Sequence, residues 1–441
     1  MADSTTIVGL LNVPGAFDGL PDACPGADTP IKEAQADAEK PKGRPPKPAL
    51  TREVIAANLA ANGITVKWNE ISHKLEYHGI PESLNLNPEN ILNDFPVILH
   101  DTLKTNYAGN LQSVCNLLTA IGGQCRYNPV LDAIAAEPWD GYDYLDDLLR
   151  IMGIADNDLS CILTIKWLEQ AIALLHNDTI RRFSADGFLI LQGPQGCGKT
   201  SIATILGMKP EWTLTGAYLD SHDKDTTIRA TGYFVVELGE LDATLSRADT
   251  ARLKSFITQE NDVFRRPYAP GDTESVRRTS FIGTVNAKTF LVDPTGSRRF
   301  WVVPVESIDL KALRKFNALG LWRQIYAQWR ECDQRGNGDC YRLSPQERRQ
   351  LEERNAQHKK PVAAEIEVAD ILSEAETSPE SFRWEYSTTS DFKLENAILS
   401  RYSLAKINDA LDALNIPEQR VRVQKGGNPV KRRYLPRRVF S

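Results

Sequence analysis

Eight consecutive residues have the types and the spacing of a phosphate-binding loop. They run Gly193-Pro-Gln-Gly-Cys-Gly-Lys-Thr200 and fit the pattern G-x-x-x-x-G-K-[ST]. Glycines let successive backbone N–H groups point at phosphate oxygens, the lysine reaches the β- and γ-phosphates, and the threonine hydroxyl is a ligand for Mg²⁺. The pattern predicts binding of ATP with Mg²⁺, and the expected nucleotide-binding residues are Gly193, Gly196, Gly198, Lys199, Thr200 and Ser201.

The neighbouring residues supply the elements that such a loop requires. Phe188–Gln192 is a short apolar run typical of a buried strand, and Ser201–Leu206 has the pattern of a helix. A glycine-rich turn that merely precedes a helix would also fit the loop. The order strand, loop and helix favours the phosphate-binding interpretation.

Two carboxylates close a second apolar run. Thr231–Leu241 contains a predicted buried strand that ends at Glu237 and Glu240. An ATPase needs one acid to hold the water shell of the metal and a second acid to polarise the attacking water. We assign Glu237 to the metal and Glu240 to the water, although the two roles could be exchanged. The alternative is that both acids only face solvent at the end of a strand.

Further polar residues flank two more apolar runs. Thr279–Val285 leads to Asn286, whose amide could orient water against the γ-phosphate, and Arg298 and Arg299 precede the run Phe300–Pro304. An arginine in that place can stabilise charge on the γ-phosphate of a neighbouring subunit's nucleotide. Such a pair can also form salt bridges at the surface. The order of acid strand, amide strand and arginine pair favours the catalytic interpretation.

A predicted helix over Ser246–Thr258 leads into a predicted hairpin with a Pro-Gly turn, Asp262–Arg278. Arginines and an aromatic side chain on a projecting hairpin suit phosphate contacts and base stacking in a channel for single-stranded DNA. The alternatives are a solvated hairpin and one that makes subunit contacts. The predicted DNA-binding residues of this hairpin are Arg265, Arg266, Tyr268, Arg277 and Arg278.

The last part of the chain is basic. A predicted amphipathic helix over Ser400–Ile416 precedes Arg420–Pro436, which contains two predicted strands around a Gly-Gly-Asn-Pro turn, and no acid occurs after Glu418. A helix and two basic strands are typical of a small winged-helix-like module. The segregation of charge favours contact with nucleic acid over a basic tail without a partner. We expect Arg432 and Arg433 to contact DNA.

The length of the chain predicts several domains. A chain of 441 residues exceeds what one hydrophobic core usually serves. Residues 1–50 are rich in Pro, Gly, Ala, Asp and Lys, which predicts a disordered tail. The expected order is then a mainly helical N-terminal module at 51–180, the P-loop ATPase domain at 181–335, a helical segment and linker at 336–385, and the basic module at 386–441.

Composition and charge limit the class of protein. The net charge of −6 argues against attraction of the whole molecule to DNA, but it leaves room for a local basic surface. The seven cysteines form no zinc-site pattern, and one lies inside the phosphate loop, which fits a reducing compartment. No apolar run approaches the ~18–20 residues that cross a bilayer, and the first residues lack the basic region of a secretion signal. We expect a soluble cytoplasmic protein without a membrane partner.

The ordered motifs between roughly residues 120 and 305 resemble the virulence-associated protein E family. That family comprises P-loop proteins of phages and mobile elements that are related to superfamily 3 and poxvirus-type primase-helicases. The residues that carry the resemblance are Tyr127-Asn-Pro-Val130, Trp139-Asp-Gly141, Gly193–Thr200, Glu237-Leu-Gly-Glu240-Leu241, Arg266-Pro-Tyr268, Thr284-Val-Asn286, Phe290–Gly296 and Arg298–Trp301.

The resemblance implies an α/β fold with an AAA+-like P-loop ATPase core, which the helical N-terminal module and the winged-helix-like module would flank here. It implies that Asn286 is the sensor and that Arg298 or Arg299 is the arginine finger of a hexameric ring. The implied function is that of an ATP-dependent DNA helicase or translocase of phage or mobile-element replication in a bacterial host. Its partners would be single-stranded or forked DNA and other replication proteins. Residues 1–120 show no paired-carboxylate primase signature, so we expect no primer synthesis.

Two other functions fit the same residues. One is an ATP-dependent replication initiator or helicase loader that melts or marks an origin without processive unwinding. The other is a regulatory or defence ATPase that nucleic acid triggers. Processive strand separation distinguishes the helicase from both.

Overall fold

The computed structural model describes residues 46–154, 158–217, 224–239, 241, 247–264, 273–291, 297–359, 363–422 and 430–439. Four predicted site residues, Glu240, Arg265, Arg266 and Tyr268, lie outside these ranges, and so does the predicted tail as far as residue 45. What the sequence predicts for them stays a prediction.

A small N-terminal module has its own hydrophobic core. Its three strands form a sheet in the order β2-β1-β3, with β2 antiparallel and β3 parallel to β1. The helices bury apolar side chains such as Ile55, Phe95, Leu99 and Val114 against one another and the sheet. The elements are α1 (Arg52–Ala61), β1 (Thr65–Asn69), β2 (Lys74–His78), α2 (Ile91–Leu103), α3 (Leu111–Gly122) and β3 (Arg126–Tyr127).

The core of this module ends well before residue 180, where the sequence predicted its boundary. Its buried residues run from Ile55 to Leu118, and the following helices belong to a larger core. The helix Leu159–Leu175 explains why. Of its 17 residues 13 are buried, and a helix that is apolar on nearly all sides must be enclosed by other elements. These helices are α4 (Pro129–Ala135), α5 (Tyr144–Ile151) and α6 (Leu159–Leu175).

Side-chain hydrogen bonds fix these helices. The Oδ1 atom of Asn128 accepts the backbone N–H groups of Val130 and Leu131 at 3.2 and 3.0 Å, and Pro129 takes the first helical position of α4. The indole N–H of Trp167 in α6 donates to the carbonyl of Phe281 at 2.8 Å. That bond holds α6 against the central sheet.

The centre of the molecule is a five-stranded parallel sheet in the order β10-β4-β9-β6-β5. Its inner strands are buried and mostly apolar because helices cover both faces of a parallel sheet. A separate antiparallel hairpin, β7 with β8, forms where the sequence predicted one. The elements of this part are β4 (Phe188–Gln192), α7 (Lys199–Leu206), β5 (Thr213–Ala217), α8 (Lys224–Ala230), β6 (Val235–Leu238), α9 (Arg247–Ile257), β7 (Asn261–Phe264), β8 (Thr273–Val276), β9 (Ser280–Val285) and β10 (Phe300–Pro304).

Three further helices complete this core. They are α10 (Leu310–Leu313), α11 (Ala318–Gln334) and α12 (Pro345–Gln357). The indole N–H of Trp322 in α11 donates to the carbonyl of Leu206 at 2.8 Å, at the end of the helix that follows the phosphate loop. In α12, the fully buried Asn355 donates to the carbonyls of Ser297 and Phe300, both at 2.9 Å. This helix therefore fixes the turn that carries Arg298 and Arg299.

The C-terminal module has a third core. Its strands form an antiparallel sheet in the order β11-β13-β12. The predicted helix followed by two strands is present as α15, β12 and β13, and the winged-helix type stays a prediction. Where the sequence predicted a helical segment and linker at 336–385, the helix Ala363–Thr377 and the strand Phe382–Ser387 occupy most of the second half of that range. The elements are α13 (Ala363–Thr377), β11 (Phe382–Ser387), α14 (Thr389–Glu395), α15 (Leu404–Ala413), β12 (Gln419–Val421) and β13 (Val430–Arg438).

Helix length and polarity bear on membrane contact. In the ranges that the structure describes, every helix is too short or too polar to span a bilayer.

Candidate nucleotide-binding site

The phosphate loop lies at the carboxyl edge of the central sheet, between β4 and α7. Its first residue is tied to the sheet by a hydrogen bond from the N–H of Gly193 to the carbonyl of Val285 at 3.1 Å. A Cβ atom at Gly193 would lie 1.9 Å from the carbonyl oxygen of Val305, so no side chain fits there. Gly196 and Gly198 have φ angles of +79° and +104°, which other residues rarely adopt. The loop geometry thus requires the three predicted glycines.

Lys199 is buried at the mouth of the loop. Its ammonium group donates to the carbonyl oxygens of Gly193 and Pro194 at 2.8 and 2.7 Å and to Oδ1 of Asn286 at 3.0 Å. All three partners are neutral, and an anionic phosphate oxygen is a stronger acceptor for an ammonium group. The lysine is therefore placed to transfer its hydrogen bonds to a phosphate.

Glu237 ends β6 and is 2% exposed. Its Oε1 atom accepts the hydroxyl of Thr284 at 2.6 Å and that of Thr200 at 3.3 Å, and its Oε2 atom accepts the N–H of Gly216 at 2.6 Å. Donors from the phosphate-loop helix and from β5 and β9 thus converge on one carboxylate. This arrangement satisfies the buried charge and fixes the carboxylate beside the predicted metal ligand, Thr200.

Asn286 follows directly after β9, and β9 lies between β4 and β6. Because the carboxyl ends of parallel strands meet at one edge of the sheet, its amide lies next to Lys199 although 87 residues separate them. The structure therefore brings the predicted amide together with the phosphate loop.

A cleft of about 730 Å³ opens at this edge. It is lined by predicted residues, by Thr284, and by four residues that the sequence analysis did not name, Thr215, Gly216, Ala217 and Leu310. The sequence analysis named Thr284 only within Thr284-Val-Asn286 and gave it no role, although its position two residues before Asn286 predicts that the two side chains share a face. The predicted residues in the lining are Gly196, Gly198, Lys199, Thr200, Ser201, Glu237 and Asn286.

A family model described as "Virulence-associated protein E-like domain" matches residues 132–360, more than half of the chain. The chain belongs to this family. The matched range contains the central sheet and helices of the largest core, whereas the N-terminal module and the C-terminal module lie outside it.

Solved structures similar to this chain include forms of the NrS-1 C-terminal region. Its apo structure (305–718) has 14% sequence identity and a TM-score of 0.46 over 86% of this chain and 97% of that one. The A-form apo structure of the same region has 14% identity and a TM-score of 0.44 over 88% of this chain and 100% of that one. A comparison with curated proteins found no match.

In this virulence-associated protein E-like domain, Arg298 and Arg299 lie at the opposite edge of the sheet from the phosphate loop. They form a short turn before β10, and Phe300 pairs with Phe188, the first residue of β4. The length of β4, about 3.3 Å per residue, separates this turn from the loop at the other end of the strand. Within the described residues, neither guanidinium forms an ion pair. The pair therefore lies away from the phosphate loop of the same chain.

Two arginines of the predicted DNA-binding hairpin are buried. Arg277 has a side chain that is 1% exposed; its Nε donates to Asp262 at 2.6 Å and its Nη1 to the carbonyl of Phe256 at 2.9 Å. Arg278 is 7% exposed and pairs with Glu70 of the N-terminal module at 3.0 Å. Burial lowers the pKa of Arg278, and the charge of Glu70 opposes that effect. Both predictions of DNA contact need correction, because these guanidinium groups face protein carboxylates.

The two predicted arginines of the C-terminal module differ from each other. Arg433 is buried in contact with Asp412 and the carbonyl of Ile416, so it holds β13 to α15 and has no surface open to a phosphate. Arg432, the next residue back, is half-buried on the other face of β13, where its Nη1 donates to the carbonyl of Tyr386 at 2.9 Å. Only Arg432 keeps the predicted access to a ligand.

Proposed function

We propose that this chain is an ATP-hydrolysing DNA helicase or translocase of phage or mobile-element replication, which works as a ring-shaped homo-oligomer, a hexamer, in the cytoplasm of a bacterial host. The observation that carries the proposal is the contact between Thr200 and the buried Glu237. It joins the phosphate loop and the acidic strand in one cleft, which is the arrangement that ATP hydrolysis needs.

The phosphate loop would hold the triphosphate. Its backbone N–H groups and the N-terminus of α7 attract anionic oxygens, and Lys199 would exchange its neutral acceptors for the β- and γ-phosphates. Asn286 contacts Lys199, which supports a sensor role in which its amide orients the attacking water. Ser201 follows at the cleft wall.

The donor set fits Mg²⁺. A threonine hydroxyl and a carboxylate are the hard oxygen ligands that this ion prefers, and Thr200 and Glu237 lie in contact. When bound, Mg²⁺ neutralises charge on the β- and γ-phosphates. Thr284 and Gly216 keep the Glu237 carboxylate in position. We assign the activation of water to Glu240, and the exchange of roles between the two acids stays open.

Oligomerisation would complete the site. The turn that carries Arg298 and Arg299 lies away from the phosphate loop of its own subunit, so an arginine finger from this turn must act on a neighbour. Asn355 holds the turn through two backbone carbonyls, which gives it the rigid support that a catalytic residue requires.

DNA contact would involve the C-terminal module. It carries the basic strand β13 and the order of helix and strands of a winged-helix-like domain. Its contact with DNA would couple hydrolysis to movement along a single strand.

The decisive experiment measures ATP hydrolysis with and without single-stranded DNA, together with strand displacement on a forked duplex. Lys199→Ala is the blank, and Lys104→Ala, which removes an exposed lysine of the N-terminal module, is the matched control. We expect turnover that DNA stimulates, together with displacement. ATP turnover without strand displacement, on forked duplexes with either a 5′ or a 3′ single-stranded tail, would favour an initiator or helicase loader over a helicase.

A further inference from the structure

The outer face of the C-terminal sheet carries a row of aromatic side chains. Side chains alternate between the two faces of β13, so the fully buried Leu435 points into the core of the module and Tyr434, its neighbour, points outward. Tyr386 lies directly opposite Tyr434 in the paired strand β11. Trp384 is two residues before Tyr386 and therefore shares its face. The three rings form one continuous patch.

The rings are ordered by their contacts with one another. The centroids of Tyr386 and Tyr434 are 5.2 Å apart, and those of Trp384 and Tyr434 are 5.8 Å apart with 26° between the ring planes. Two of the rings are nevertheless accessible, since Tyr386 is 40% and Tyr434 49% exposed. Adjacent strands of a sheet fix the positions of these side chains, so little conformational entropy would be lost when a flat ligand covers them.

The charge around the patch selects the ligand. The three strands contain seven Lys and Arg residues and one acid, Glu385. Four of the seven pair with carboxylates, and these are Lys431, Arg433, Arg437 and Arg438. Arg432 lies opposite Gln419 on the aromatic face and donates to the backbone carbonyl of Tyr386. A ligand that matches this face is polyanionic and carries flat π-surfaces. Single-stranded nucleic acid has both properties.

We propose that this aromatic face, made of Trp384, Tyr386 and Tyr434 with Arg432 at its side, binds single-stranded nucleic acid by base stacking. The proposal rests on the proposed function and deepens it, because it names the residues that hold the single strand and the contact by which they do so. Bases inside a duplex are stacked on each other and offer no free face to these rings. The face should therefore prefer single strands to duplex.

Two pairs of substitutions in the full-length chain test the proposal. Tyr386→Leu and Tyr434→Leu remove a ring and keep an apolar side chain of similar bulk, and Tyr386→Phe and Tyr434→Phe are the matched controls that keep the ring. The readout is the dissociation constant for a single-stranded oligonucleotide and for its duplex at several salt concentrations. Loss of one stacked base corresponds to about 5- to 150-fold weaker binding.

We expect each leucine variant to lose single-strand affinity by about that factor, and each phenylalanine variant to stay within about twofold of wild type. Duplex affinity and the salt slope should change little, because the phosphate contacts are preserved. Melting temperature identifies any variant whose module has lost its fold. If a variant does not fold, photocrosslinking of wild type to an oligonucleotide with 5-iodouracil replaces the affinity measurement. We expect the crosslinked adducts on Trp384, Tyr386 or Tyr434.

Several results would overturn the proposal. The proposal fails if wild type does not bind single strands, or if the leucine variants bind them with normal affinity. It also fails if the leucine and phenylalanine variants lose equal affinity, or if the crosslinked adducts form only on residues outside this face. A change of oligomeric state in the leucine variants with unchanged DNA affinity would make the face a subunit interface instead. Strand displacement by wild type separates the two proposals. If wild type displaces strands and the leucine variants keep normal single-strand affinity, the helicase proposal stands and this binding face is refuted. If single-strand affinity depends on the tyrosine rings but wild type displaces no strand, the binding face stands and the helicase proposal is refuted.

Discussion

The hydroxyl of Thr284 donates a 2.6 Å hydrogen bond to Oε1 of Glu237, and this bond connects two neighbouring strands at their carboxyl ends. Thr284 lies on β9, two residues before Asn286, which follows the strand directly. The amide of Asn286 in turn contacts Lys199. The acid, the amide and the lysine are thus linked through β9. A displacement of this strand would change all three contacts.

Thr284→Val should lower ATP turnover by about tenfold, because the valine keeps the volume and removes one donor from a buried carboxylate. Thr284→Ser keeps the hydroxyl and should retain most of the activity. The lost hydrogen bond should also lower the free energy of unfolding by about 1–3 kcal/mol. Steady-state hydrolysis and urea unfolding of both variants measure these effects. Equal turnover in the valine and serine variants would refute the role of the hydroxyl.

Lys199→Ala should reduce hydrolysis about 100-fold or more, because the phosphate charge loses its main cationic partner. Lys104→Ala removes an exposed lysine of the N-terminal module and should leave turnover unchanged. Release of inorganic phosphate from ATP is the measurement. Normal turnover in the Lys199 variant would show that hydrolysis takes place at another site.

Arginine action across subunits predicts complementation. Arg298→Ala and Arg299→Ala leave the phosphate loop intact, and Lys199→Ala leaves the arginine turn intact. An equal mixture of two inactive variants should regain about a quarter of wild-type turnover, because random assembly pairs an intact loop with an intact neighbour at that frequency. The double variant that lacks both groups is the control. If neither arginine variant regains activity in the mixture, the finger assignment fails.

The buried ion pair of Arg277 and Asp262 should be structural. Arg277→Ala leaves the carboxylate of Asp262 buried without its partner and should lower the free energy of unfolding by about 3–5 kcal/mol. Arg182 pairs with Glu274 on the same hairpin at the surface, so Arg182→Ala should cost about 0–1 kcal/mol. Chemical unfolding of both variants compares them. Similar costs would contradict the structural role of Arg277.

His176 should make stability depend on pH. Its ring packs on Trp329 with centroids 4.5 Å apart, and burial lowers its pKa below the usual value of 6.5. As the pH falls through 6.5, the unfolded chain takes up a proton that the folded protein does not, so this group contributes its full stability only above 6.5. The slope approaches about 1.4 kcal/mol per pH unit. Urea midpoints from pH 7.5 to 5.5 should fall less steeply for His176→Gln, and identical slopes would contradict this assignment.

The elements of the central sheet could be predicted because buried parallel strands are apolar runs. This holds for β4, β6, β9 and β10, whereas β5 (Thr213–Ala217) is a polar edge strand without such a pattern. The acidic composition around residue 370 suggested a linker and concealed a helical stripe of Ala364, Val368, Ile371 and Ala375. Average composition hides a narrow apolar face when the rest of the helix is charged.

The residues of the candidate site could be predicted where a local sequence motif defines them, as the phosphate-binding loop does for Lys199 and Thr200. The buried state of Arg277 was not, because it depends on Asp262 in the paired strand of the hairpin, 15 residues away. The same limit applies to Arg433, whose partner Asp412 lies on a helix. The sequence does not show which arginine will be paired with a carboxylate, because the partner is brought close only by the tertiary structure.

In the proposed assembly, the arginine turn at one edge of the sheet and the phosphate loop at the other would give each subunit two different binding surfaces. In a closed ring, a finger that reaches the next subunit's nucleotide joins unlike surfaces, so the contact between successive subunits is heterologous. Every added subunit presents a new free edge until a rotation closes the assembly. The angle between successive subunits therefore decides between a closed ring and an open helical filament.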